Sequence, residues 1–168
     1  HTALLRALQI DPDDVFVGIT WLVEHHGQGI LADGMTRILA RGNQQLLNNV
    51  AAGLHHLASN PDFEGLHRLI LDDLRGRLRA DGPTTQAAIR AAWLLGQLRA
   101  GEALEDLRRF VMRQLDGLAQ TGRPAPRARE AAERGMEALG RLGDAVFLSR
   151  LMERRDVQQR EELYEAAL

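Results

Sequence analysis

The chain has 168 residues, of which 45% are hydrophobic and 26% charged, enough for one ordinary domain or two small ones with a substantial core. Its 21 basic residues are all arginine, and against 23 acids they leave a formal charge of −2; lysine and cysteine are absent. This composition excludes a disulfide scaffold, a cysteine-ligated zinc site and cysteine nucleophile chemistry, and it argues against a strongly basic nucleic-acid binder.

Apolar residues recur at intervals of three and four, and β-branched and aromatic residues are sparse, so the chain reads as all-α. In chain order the pattern predicts helices near 2–9, 13–26, 29–41, 43–58, 61–79, 84–100, 103–119, 126–142, 144–154 and 156–168. Asp11-Pro12-Asp13, Asn60-Pro61-Asp62 and Gly82-Pro83-Thr84 place a proline near a helix start, where its missing N–H costs nothing. Gly27-Gln28-Gly29 reads as a break between two helices. Gly143-Asp144 reads as a glycine stop followed by an aspartate N-cap, and Asp156 as another cap. Connections are short except Thr121 to Pro126, which makes successive helices antiparallel neighbours.

The longest apolar run, Val15 to Val23, has nine residues, whereas a helix needs about 20 to cross a bilayer. No basic region precedes an apolar one at the start, so no secretory signal is read and a cytoplasmic location is expected. The chain opens on His1 and stops at Leu168 within a helical pattern, which reads as a fragment of a longer protein.

Three segments align without gaps: Gln45 to Leu57, Gln86 to Leu98 and Glu130 to Leu142, offset by 41 and then 44 residues. Each carries an apolar stripe at i, i+4, i+7, the spacing of one helix face. The stripes are Leu47, Ala51, Leu54; Ala88, Ala92, Leu95; and Ala132, Met136, Leu139, extended by Leu57, Leu98 and Leu142. Gly96 and Gly140 share a register. Glycine inside a helix costs about 1 kcal/mol against alanine, so both are expected to serve close helix packing. A second amphipathic helix follows each segment, and pairs repeating at about 40 residues stack because one pair cannot bury its apolar face alone.

The segments AAWLLGQLRAGEALEDLRRFV (91–111) and MEALGRLGDAVFLSRLM (136–152) resemble HEAT-like repeats of the short bacterial kind, with an A-x-A-L-G-x-L-G-D core. Ala138-Leu139-Gly140-Arg141-Leu142-Gly143-Asp144 matches that core well, Leu94 to Leu98 partly, and Gly53 to Leu57 weakly. The resemblance covers roughly 43–168 and implies a right-handed α-solenoid of antiparallel helix pairs, the last truncated; residues 1–42 form an N-terminal cap or a divergent pair. It implies a concave helix ridge on which HEAT-like proteins commonly bind partners, and it names no activity.

Opposite the apolar stripe the register places Gln45, Asn49, Ala52 and His56 in the first unit. In the second it places Gln86, Arg90, Trp93 and Gln97, and in the third Glu130, Arg134, Glu137 and Arg141. Trp93 beside Arg90 has the composition of an interface hot spot; its other reading is packing against a neighbouring helix. Charge is uneven: residues 1–64 are net −4, 65–129 net +5 and 130–168 net −3. Arg75, Arg77 and Arg79, with Arg108, Arg109 and Arg113 one unit on, form the densest basic cluster, read as a solvated face or as a contact for an acidic partner or phosphates.

Catalytic and metal signals are weak. His25-His26 and His55-His56 are sequence neighbours, about 100° apart on a helix, and cannot chelate as a pair. No H-E-x-x-H, P-loop or G-x-S-x-G motif occurs. The expectation is therefore a non-catalytic scaffold or adaptor that binds another protein on Gln45, Asn49, His56, Gln86, Arg90, Trp93, Gln97, Arg134, Glu137 and Arg141, with no cofactor, no metal and no membrane insertion. The alternatives, both borrowed from HEAT-like relatives, are a nucleic-acid-binding domain using the arginine-rich middle and an accessory domain of a larger enzyme.

Overall fold

The computed structural model describes residues 12–120 and 126–154; the expected helices at 2–9 and 156–168, the Asp156 cap and the loop from 121 lie outside them. The described residues form eight α-helices and no strand, so the chain is all-α. We label the helices α1 (Pro12–His26), α2 (Gly29–Arg41), α3 (Gln44–Ser59), α4 (Glu64–Arg79), α5 (Gln86–Gln97), α6 (Leu104–Gln120), α7 (Pro126–Arg141) and α8 (Ala145–Met152). None of them is long and apolar enough to cross a membrane.

Local chemistry sets the boundaries. Asn43 caps α3 by accepting the Leu46 N–H at 2.8 Å, and Thr85 caps α5 by accepting the Ala88 N–H at 3.2 Å. Pro83 therefore stands two residues before the α5 cap, outside the helix. Asn60 and Pro61 open a 3-10 turn, Pro61–Phe63, that leads into α4, and Gly101–Ala103 leads into α6 in the same way. Gly27, at φ 77°, turns the chain between α1 and α2 in a conformation that favours glycine. Gly143, at φ 76°, does the same before Asp144, the N-cap of α8.

Cα packing divides the chain into two compact units, His1–Asp73 and Leu74–Leu168. The first buries Met35 and Leu39 from α2, the α3 stripe Leu47, Ala51, Leu54 and Leu57, and Phe63, Leu66 and Ile70 that follow. The second buries Ala88, Ala92 and Leu95 from α5, Leu107, Phe110 and Leu115 from α6, Ala132, Met136 and Leu139 from α7, and Leu148 and Leu151 from α8. Each buried leucine-sized side chain contributes roughly 1.5–3 kcal/mol of transfer free energy. All nine positions of the three predicted stripes are buried. Leu98 and Leu142, expected to extend the stripes, are only half-buried, because each helix ends before them, at Gln97 and at Arg141.

In the second unit α7 lies against both α5 and α6. Two glycines permit this. A β-carbon on Gly96 would fall 2.6 Å from the Ala138 Cα, and one on Gly135 would fall 2.5 Å from Val111 Cγ2. Gly140 does not share this role: a β-carbon there would meet nothing nearer than Leu148 Cδ1 at 3.8 Å. The common register of Gly96 and Gly140 therefore marks a close approach only at the first.

Candidate functional site

The register that buries the apolar stripe leaves the opposite residues on the surface. On α5, Gln86, Arg90, Trp93 and Gln97 are half-buried while Ala88, Ile89, Ala91, Ala92, Leu94 and Leu95 between them are buried. On α7, Glu130, Arg134 and Glu137 are half-buried and Arg141 is exposed. Because α5 and α7 touch through Gly96 and Ala138, these rows share one unit and come within bonding distance at one end: Gln86 Nε2 lies 3.4 Å from Glu130 Oε1. Arg134 donates to Glu137 at 2.8 Å, an i, i+3 pair along α7. In the first unit, Gln45 and Asn49 are exposed on α3 and bonded to each other at 3.0 Å, and His56 is half-buried. Trp93 is thus neither fully exposed nor fully packed away.

Several arginines of the arginine-rich middle are held by acceptors of the same chain, while Arg79 and Arg109 also stay exposed to water. Asp106, in the first turn of α6, is only 5% exposed and accepts from two arginines of α4. Arg75 Nε reaches it at 2.9 Å, and Arg79 binds it through Nε at 2.7 Å and Nη2 at 2.8 Å. The two-pronged Arg79 contact is the strong geometry for a guanidinium and a carboxylate. One helix on, Arg108 of α6 binds Asp144 through Nε at 2.7 Å and Nη2 at 2.8 Å, and it also donates to Glu105. Its guanidinium carbon lies 5.6 Å from the Phe147 ring centroid, within cation–π range. Arg113 donates to the carbonyls of Leu78 and Ala80 and so satisfies the C-terminal end of α4.

These contacts shift the ionisation of the acids. The Arg79 guanidinium holds the Asp106 carboxyl below the usual range, against the opposing effect of burial, and Arg75 adds to it. Arg108 holds Asp144 down in the same way, and the Asp144 carboxylate in turn raises the Arg108 value. Sequence periodicity could not identify these partners, which stand 27 to 36 residues apart. The signal was present only as two buried-position acids, Asp106 and Asp144, at the starts of second helices.

A cleft of about 450 Å³ opens at the turn from α4 to α5. Leu78, Ala88 and Phe110 are among its lining residues, and across it Thr84 Oγ1 donates to Gln114 Oε1 at 2.6 Å. Among the described residues no three His, Asp or Glu side chains gather in a group that could hold a metal ion. His25 Nδ1 instead pairs with the Trp21 carbonyl at 2.8 Å. Comparison with protein-family models, with curated proteins and with solved structures finds no match to this chain.

Proposed function

We propose that the chain is a HEAT-like α-solenoid module that binds another protein on its polar helix ridge. The observation that carries this reading is the seating of Ala138 on Gly96. It fixes α5 and α7 side by side in the second unit and presents Gln86, Arg90, Trp93 and Gln97 next to Glu130, Arg134, Glu137 and Arg141. Paired first helices of successive repeats would pack in this way in a solenoid. A half-buried tryptophan among arginines and amides suits an interface in which one aromatic anchor is ringed by polar groups. Gln45, Asn49 and His56 on α3 belong to the same proposed register.

The nucleic-acid alternative draws its support from the net charge of +5 over residues 65–129. Its weakness is that Arg75, Arg79, Arg108 and Arg113 already bind carboxylates or carbonyls of the same chain. Phosphate binding by these groups would first have to break those contacts.

The test is capture of a partner from a lysate of the source cells by immobilised wild-type chain and by the Arg90→Ala/Trp93→Ala double variant. The reading expects a captured protein to fall by at least about tenfold on the variant, with helicity unchanged by circular dichroism. Equal capture by both chains removes this ridge as the site. Salt-sensitive binding of a DNA duplex by wild type would instead favour the nucleic-acid alternative.

A further inference from the structure

The large apolar side chains left exposed among the described residues sit on the first two helices and on the last. They are Val17 at 58%, Trp21 at 52% and Ile30 at 44% on α1 and α2, and Val146 at 67% on α8. Exposed apolar groups concentrated in this way mark contact surfaces more often than scattered ones do.

The α1 and α8 surfaces complement each other in charge and in spacing. Near Trp21 the α1 sequence holds Glu24, His25 and His26 and no arginine, whereas α8 holds Arg150 and no acid. Val17 and Trp21 are four residues apart on α1, and so are Val146 and Arg150 on α8. Residues four apart lie on one helix face. If the two helices lie side by side in the same direction, Val146 against Val17 brings Arg150 over Trp21, with Glu24 less than one turn further on. One side of the Trp21 ring is stacked on His25, with centroids 4.2 Å apart and planes at 22°. Indole is the best aromatic acceptor for a guanidinium, and the carboxylate beside it adds charge pairing.

We propose that a second copy of this chain seats its α8 on this α1 face, so that the chain associates head to tail. The two surfaces differ, which makes the contact heterologous: each added copy leaves one α1 face and one α8 face vacant, and assemblies lengthen with concentration. Neither helix carries a residue of the proposed ridge, so the failure of one reading leaves the other standing.

Sedimentation velocity of the whole chain over a wide concentration range tests this. Wild type is expected to show mass rising with concentration, less so at high salt. Trp21→Arg and Val146→Glu, both at exposed positions, are each expected to be monomeric with wild-type helicity. Their equimolar mixture is expected to form a dimer that grows no further, since one variant keeps its α8 face and the other its α1 face. Arg150→Glu is expected to raise the dissociation constant by about tenfold or more. A wild-type chain that stays monomeric overturns the proposal, and so does a mixture that stays monomeric. A monomer in which Trp21 resists a soluble quencher, measured in a Trp93→Phe background, also overturns it and assigns the α1 face to another segment of the same chain.

Discussion

Gly96 and Ala138 meet backbone to backbone, so closely that a β-carbon on Gly96 would lie 2.6 Å from the Ala138 Cα and 2.7 Å from its Cβ. The overlap is with main chain, which cannot swing away. Gly96→Ala must therefore push α7 off α5 and should destabilise the protein by about 1–3 kcal/mol. Gly140→Ala would make only an ordinary contact, 3.8 Å from Leu148 Cδ1, and replaces a helix glycine, so it should be neutral or stabilising by up to about 1 kcal/mol. Urea midpoints of the two variants measure the contrast; equal midpoints would mean that α5 and α7 do not touch at Gly96.

Leu95 and Leu139 are both fully buried, one from α5 and one from α7. Leu→Ala at either position should cost about 2–5 kcal/mol, through lost transfer free energy and the cavity left behind. Thermal denaturation checks this, and unchanged melting of both variants would show the buried register to be wrong.

Asp106 carries a pH dependence whose sign follows from its arginines. Its folded-state value is lowered, so the unfolded chain binds more protons in the acid range and stability rises with pH there. The contribution is complete above the unfolded value of about 4 and is lost as pH falls through the lower folded value. Asp106→Asn should cost about 1–3 kcal/mol at neutral pH, below the loss for a fully buried pair because Arg79 is half exposed to screening water. Urea midpoints from neutral to acid pH should show the gap to wild type closing. A constant gap would assign the loss to packing.

Arg108 should behave as a fork and not as a point charge. It binds both oxygens of Asp144 while lying near the Phe147 ring. Arg108→Lys keeps the charge and loses the second prong and the planar guanidinium near the Phe147 ring. A destabilisation of roughly 1 kcal/mol, similar in low and high salt, is the expected outcome. A loss that disappears in high salt would show simple charge pairing.

The helices and their buried faces were legible in the sequence because they depend on local periodicity. The stripe from Leu47 to Leu54 is visible at spacings that any helix imposes, and Asn43 and Thr85 act within three residues of themselves. The ion pairs were not legible for the opposite reason. Which acid meets Arg79 depends on how α4 and α6 settle side by side, and no local pattern encodes that. Gly135 has no glycine counterpart in the other two aligned segments and so carries no signal in the sequence, whereas Gly140 has one and yet no close approach. A shared register reports helix phase; close approach is a property of the particular pair of helices. The polar ridge was legible as the complement of the buried stripe, but the half-burial of Trp93 follows from packing that the register alone does not set.

The arginines clamped between α4, α6 and α8 also make the chain's tryptic map a readout of its fold. With no lysine present, trypsin can cut only after arginine. Arg75 and Arg108 lie within helices and are tied by their side chains to carboxylates of neighbouring elements, so the backbone beside them reaches a protease only after the pairings and the helix have opened. Arg99 stands exposed in the turn after α5, at φ 50°. Cleavage there while the clamped sites hold would separate a molecule that merely breathes at its turns from one that has let its helices part.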